Sequence, residues 1–196
     1  MSQRLSSCMV WGAIVLLVSL TFFACSSRNV VIESDLSLDQ AAIEAVDLAR
    51  TMDPNQTGLA KTEGTTPYRI CYTEAKNGFT ASGGELKIEL DNQEIFLIIP
   101  ANAIPVEQYG NCCEIRVWAE KWQTDNGVVY YYECTPGGIQ FKTPVTLIQP
   151  ISSSSTENLF WYNSSTSRWV VVDSDKVSAG SASFEINHFS KYAISD

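Results

Sequence analysis

From Tyr68 to the C-terminus, apolar residues recur at every second position, the period of a strand with one buried face. That pattern predicts ten short strands: Arg69–Glu74, Glu85–Leu90, Glu94–Ile99, Glu114–Glu120, Val128–Cys134, Val145–Gln149, Asn158–Tyr162, Trp169–Asp173, Ala182–Asn187 and Lys191–Ile194. Val, Ile, Tyr, Phe and Trp fill them, and turn residues separate them: Asp91–Asn92, Asp125–Asn126–Gly127, Pro136–Gly137–Gly138 and Ala179–Gly180. Many short strands without helical crossovers predict an all-β, antiparallel β-sandwich of about nine or ten strands.

Before Tyr68 the pattern differs. Ser37 stands three places before Gln40, a capping-box spacing, and "AAIEAVDLAR" follows with a narrow apolar stripe of Ile43, Val46 and Leu48. A short helix is expected there, within a stalk. "DPNQTGLAKTEGTTP" after it reads as a linker. Asp53, Asn55 and Thr57 imitate half a calcium loop, but its twelfth position is Gly64 rather than a bidentate Glu, so linker is the better reading.

The first residues have a third character. Arg4 precedes an apolar run from Met9 to Leu20, too short to span a membrane comfortably and typical of a secretory signal peptide. Phe22–Phe23–Ala24–Cys25 resembles a bacterial lipobox, in which cleavage precedes a cysteine that receives diacylglycerol and palmitate. Ser26 and Ser27 resemble the signal that sorts a lipoprotein to the outer membrane. The expected organisation is a lipoprotein signal peptide at 1–24, a partly helical stalk at 25–67 and a sandwich at 68–196, with the mature protein exported and held on a bacterial outer membrane, at its periplasmic or surface face, by lipid on Cys25.

A net charge of −9 argues against nucleic acid as a partner. With Cys8 in the leader and Cys25 lipidated, Cys71, Cys112, Cys113 and Cys134 remain, an even set in an exported chain. A bridge between neighbouring cysteines is strained, so Cys71 and Cys134 are each expected to pair with Cys112 or Cys113. A zinc site would want a Cys-x-x-Cys spacing, which is lacking, and no metal or other cofactor is expected.

"GGELKIELDNQEIFLIIPANAIP", "CTPGGIQFKTPVTL", "LFWYNSSTSRWVVV" and "INHFSKYAI" together resemble a ZU-five-type domain over residues 82–194. Asn102 stands where that family has Gly, and Asn tolerates a left-handed backbone. The resemblance implies a β-sandwich used for protein contacts and structural support. It also implies a comparison with relatives that cleave themselves before the Ser of a His-Phe-Ser triplet, here His188–Phe189–Ser190. Counting by twos, Phe184, Ile186, His188, Ser190, Tyr192 and Ile194 share one face. A regular strand would hold His188 and Ser190 ~6.6–7 Å apart, beyond hydrogen-bond reach. The triplet is therefore expected to be structural.

His188 is the only histidine, Gly-x-Ser-x-Gly is missing, and the pairs Gly83–Gly84 and Gly137–Gly138 open no helix. An enzyme is not the expectation. The eight aromatics Trp118, Trp122, Tyr130, Tyr131, Tyr132, Trp161, Tyr162 and Trp169 offer a different chemistry. Most should pack in the core. An exposed subset, with Trp118, Trp122, Tyr131 and Trp161 as candidates, would make a platform for sugar rings and a carbohydrate-binding alternative to protein contacts.

Overall fold

The computed structural model describes residues 33–52, 67–152 and 156–196, with side chains at 38–51, 67–152 and 156–196. The leader, Cys25, the half calcium loop and Gly64 lie outside the described residues. All ten expected strands are present: β1 (Tyr68–Phe79), β2 (Gly84–Leu90), β3 (Gln93–Ile99), β4 (Cys113–Thr124), β5 (Gly127–Thr135), β6 (Gln140–Pro150), β7 (Thr156–Asn163), β8 (Arg168–Lys176), β9 (Ser181–His188) and β10 (Lys191–Ser195). Helix α1 (Glu33–Met52) precedes them, and a single turn of helix, α2 (Val106–Tyr109), joins β3 to β4.

Two antiparallel sheets stack face to face. The larger has the order β1-β4-β5-β10-β7-β8 and the smaller β2-β3-β6-β9. Alternation dictates the core: Leu86, Ile88 and Leu90 on β2 and Ile95, Leu97 and Ile99 on β3 point inward, against Ile115, Val117 and Ala119 on β4. Burying each Leu, Ile or Val side chain contributes roughly 1.5–3 kcal/mol. The β2–β3 turn needs two positive-φ residues, and Asp91 (φ 51) and Asn92 (φ 60) supply them. Asn102 (φ 60) adopts the left-handed backbone expected where it replaces Gly.

One free edge of the sandwich is sealed by side chains. Asp175 accepts the Ser183 amide at 2.7 Å and Asp173 the Glu185 amide at 2.6 Å, so carboxylates of β8 occupy donors of edge strand β9. An edge capped in this way cannot recruit another strand there.

Helix α1 departs from expectation. It begins at Glu33, so Ser37 and Gln40 lie inside it rather than at a cap, and the Gln40 amide donates forward to Glu44 at 3.0 Å. It is also no free stalk. Ala42, Ile43, Val46 and Ala49 form a buried face seated on the outer side of the six-stranded sheet, over Trp122, Val129, Tyr131, Phe160, Trp169 and Ala193. The small alanines let the helix approach closely. Leu48, assigned to the same stripe from sequence, is 57% exposed. The result is a third layer over the sandwich.

No disulfide links the four expected cysteines, which are all free thiols. The register explains why. Cys113 pairs with Phe79, whereas Cys71 pairs with Lys121, eight residues further along β4 and roughly 27 Å away. Cys134 pairs with Val117, four residues and ~13 Å from Cys113. A disulfide needs Cα atoms within about 7 Å.

Candidate functional site

A local irregularity in β1 builds the most distinctive surface of the protein. Arg69 pairs with Trp122 and Cys71 with Lys121, so two residues of β1 advance against one of β4 and Ile70 is the extra residue of a β-bulge. In a regular strand Arg69 and Tyr72, three apart, would face opposite sides. The bulge puts both on the outer face with Glu74, opposite Trp122, Glu120 and Trp118.

Glu120 is the centre of this arrangement and is 2% exposed. One carboxylate oxygen accepts from Arg50 Nε at 2.7 Å and Trp122 Nε1 at 2.8 Å. The other accepts from Arg69 Nη1 at 3.1 Å and Trp118 Nε1 at 2.8 Å. Burial pushes the Glu120 carboxyl pKa up. Hydrogen bonds from Trp118, Trp122 and Arg50, with the charge of Arg50, outweigh that and hold it below the usual carboxylate range. Arg50 comes from the last turn of α1 and its guanidinium also lies 3.7 Å from the Tyr131 ring centroid. This hub therefore pins helix, edge strand and sheet together.

The hub presents a rigid aromatic surface beside the end of α1. Tyr72 stacks on Trp118 with ring centroids 4.9 Å apart and planes at 19°, and the Arg69 guanidinium lies 4.7 Å from the Tyr72 centroid. Tyr72 is 48% exposed and Trp118 is partly exposed. Next to Trp118 opens a cavity of about 330 Å³ lined by Arg50, Glu74, Arg116, Trp118, Glu133 and Thr135. Its charged walls are fixed by one another: Arg116 to Glu74 at 3.1 Å and to Glu114 at 2.7 Å, Arg50 to Glu133 at 3.4 Å. A smaller recess of about 190 Å³, reached by Asp47 and Lys191, lies beside the same Trp118 and Arg50.

The four aromatics expected to form a platform are not brought together. Trp118 takes part. Trp122 and Tyr131 face the same side but are buried beneath α1, because the helix expected to be a stalk lies over them. Trp161 packs toward the sandwich core, 4.8 Å from the His188 ring, on the opposite face of the sheet. Tyr72, missed from the sequence, takes their place. Tyr72 is 48% exposed, and simple alternation through "YRICY" could not have placed it beside Arg69 because the bulge at Ile70 resets the phase of the strand.

The His188–Phe189–Ser190 segment is not one continuous strand. β9 ends at His188 and β10 starts at Lys191, and the chain crosses from the four-stranded to the six-stranded sheet between them. His188 Nδ1 lies 2.7 Å from the Tyr192 hydroxyl, and that hydroxyl donates to the His188 carbonyl. A phenol has one proton, so with the carbonyl taking it, Nδ1 must be the protonated nitrogen and donate to Tyr192. Only Nε2 is left as a base. Phe189 is buried, its amide donating to Ile139 at 3.0 Å and its carbonyl accepting from Gly138 at 2.8 Å. The Ser190 carbonyl accepts from Cys134 at 3.0 Å, so the sheet crossover is held from both sides.

Among the described residues no group of three or more His, Cys, Asp or Glu side chains is placed to hold a metal ion. What the outer-face cluster offers is recognition: a stacked, partly exposed aromatic pair with fixed donors and acceptors around one cavity. No protein-family model and no curated protein matches the chain.

Proposed function

We propose that the chain is an exported lipoprotein, anchored through Cys25 to a bacterial outer membrane, whose ZU-five-like β-sandwich is a non-enzymatic domain for contacts with other envelope components. The leader and the Phe22–Cys25 pattern motivate the anchor. The observation that carries the contact role is the exposed Tyr72–Trp118 stack held by the buried Glu120 hub. Trp, Tyr and Arg dominate binding energy at protein surfaces, and side chains already fixed before contact lose less entropy on binding. The engagement of His188 Nδ1 with Tyr192 supports an architectural rather than catalytic histidine.

Two experiments test the two halves. In cells fed labelled palmitate, Cys25→Ser should abolish labelling and accumulate the unprocessed precursor; undiminished labelling would refute the anchor. Formaldehyde cross-linking on intact cells should give species heavier than the monomer that disappear in Tyr72→Ala and Trp118→Ala and persist in Val171→Ser, a change on exposed strand β8. Adducts equally abundant in all three variants would refute the contact surface.

A further inference from the structure

The cavity beside Trp118 has an unusual balance of chemistry. Arg50 and Arg116 contribute two positive charges, Glu74 and Glu133 two negative ones, and Thr135 an exposed hydroxyl. The lining thus carries two charges of each sign, and both arginines are already paired with carboxylates. An anionic ligand would meet Glu74 and Glu133, and a cationic one Arg50 and Arg116. An uncharged polyol meets neither penalty: each hydroxyl gives one proton and accepts at its lone pairs, so it can bridge a guanidinium to a neighbouring carboxylate. The ion pairs Arg116–Glu74 and Arg50–Glu133 hold those groups in place without a ligand. Trp118 lines the cavity while one face of its ring is covered by Tyr72, so it is the other face that can take the C–H face of a sugar ring. At about 330 Å³ the cavity is at the low end for small-ligand sites, suited to a ring-sized group rather than a long chain.

We propose that this cavity binds a neutral sugar residue of an envelope glycan, with Trp118 as the stacking surface and Glu133, Arg116 and Thr135 as hydroxyl partners. The proposal rests on the reading that this face of the six-stranded sheet is the contact surface, and it names the partner chemistry. Two carboxylates placed among arginines around an aromatic wall select for the absence of charge, and that selectivity is the testable signature.

The test uses the purified full chain in a detergent without a sugar headgroup, titrated with soluble chito-, cello-, malto- and manno-oligosaccharides and followed by tryptophan fluorescence and calorimetry. Oligogalacturonate and chitosan oligomers serve as anionic and cationic counterparts. At least one neutral series should saturate with a Kd on the order of 1 mM, and the charged counterparts should bind about tenfold more weakly or not at all. Trp118→Ala should abolish binding, Glu133→Gln and Thr135→Val should each weaken it about tenfold, and Val171→Ser should leave it unchanged. Since Trp118 also bonds Glu120, the variants at half-exposed Glu133 and exposed Thr135 keep the test valid if Trp118→Ala fails to fold. No saturation with any neutral series, preference for a charged one, or full binding by the cavity variants would overturn the proposal. If glycans fail while cross-linking still depends on Tyr72 and Trp118, only the sugar falls and the partner is a protein. If both fail, the contact surface itself is wrong.

Discussion

Replacing Glu120 by Gln changes almost no volume yet removes the charge that four donors converge on. Either orientation of the new amide turns an NH2 group toward two of those donors, so two hydrogen bonds are lost and two N–H groups face another donor. Arg50 and Arg69 then remain in a buried site without the carboxylate, and Glu133, 3.4 Å from Arg50, is half exposed and compensates little. Hydrogen bonds to charged groups contribute ~1.5–3 kcal/mol each, and removing one partner of a buried ion pair costs about 3–5 kcal/mol. The two routes agree, and about 3–5 kcal/mol is the expected loss. For a domain of this size that lowers Tm by roughly 6–20 °C. Urea unfolding followed by tryptophan fluorescence should show the midpoint fall with little change in slope. As a control, Lys87→Gln breaks two ion pairs, to Glu89 at 2.8 Å and Glu94 at 2.5 Å, but on the exposed surface, and should leave the midpoint nearly where it was. The pH dependence has a definite sign. The folded-state pKa of Glu120 is depressed, so the stability it provides is fully present above the ordinary carboxylate pKa of about 4.3 and is lost as pH falls through the folded value. The difference between wild type and Glu120→Gln should be flat at neutral pH and shrink only in acid below that range. A loss under about 1 kcal/mol at neutral pH would refute the hub as the link between α1 and the sheet.

Other expectations follow from the same geometry. Deleting Ile70 removes the extra residue and leaves Arg69 two places before Tyr72, so regular alternation keeps both on the outer face opposite Trp122 and Glu120; amide exchange in α1 should stay slow, and accelerated exchange there would contradict Ile70 as the bulged residue. Unreduced protein should alkylate at Cys112 first, because it is exposed, and at Cys134 last, because burial and then Glu133 push its thiol up to about 12. A bridge to either residue in peptide maps would contradict the register. Intact mass under denaturing conditions should show no fragment starting at Ser190, and His188→Ala should act on stability, by about 1–2 kcal/mol, through the loss of its bond to Tyr192. A Ser190 fragment that vanishes in Ser190→Ala would reverse that reading.

The sandwich was legible because its strands obey one simple period. Every expected strand is present, and the Asp91–Asn92 turn and the left-handed Asn102 follow from local chemistry alone. The outer layer was not legible. Two of the four sheet-facing residues of α1, Ala42 and Ala49, are alanines, which register weakly as apolar, so the stripe looked too narrow for a docked helix. Strand alternation places Trp122 and Tyr131 on the outer side, but it says which side a residue faces and not what covers that side. The Glu120 hub joins residues from α1, β1 and β4 across a bulge, and a bulge of one residue leaves no mark in the alternation of "YRICY". Cysteine parity misled because it counts thiols without distances.

The central claim, that Tyr72 and Trp118 form the working surface of the anchored protein, is tested most directly by hydroxyl-radical footprinting of the chain on intact cells against the same chain purified. Both side chains should oxidise readily in the purified protein and become several-fold protected on the cell, while the exposed Val171 and Val172 of β8 oxidise equally in both. Equal oxidation of Tyr72 and Trp118 on and off the cell would contradict the account.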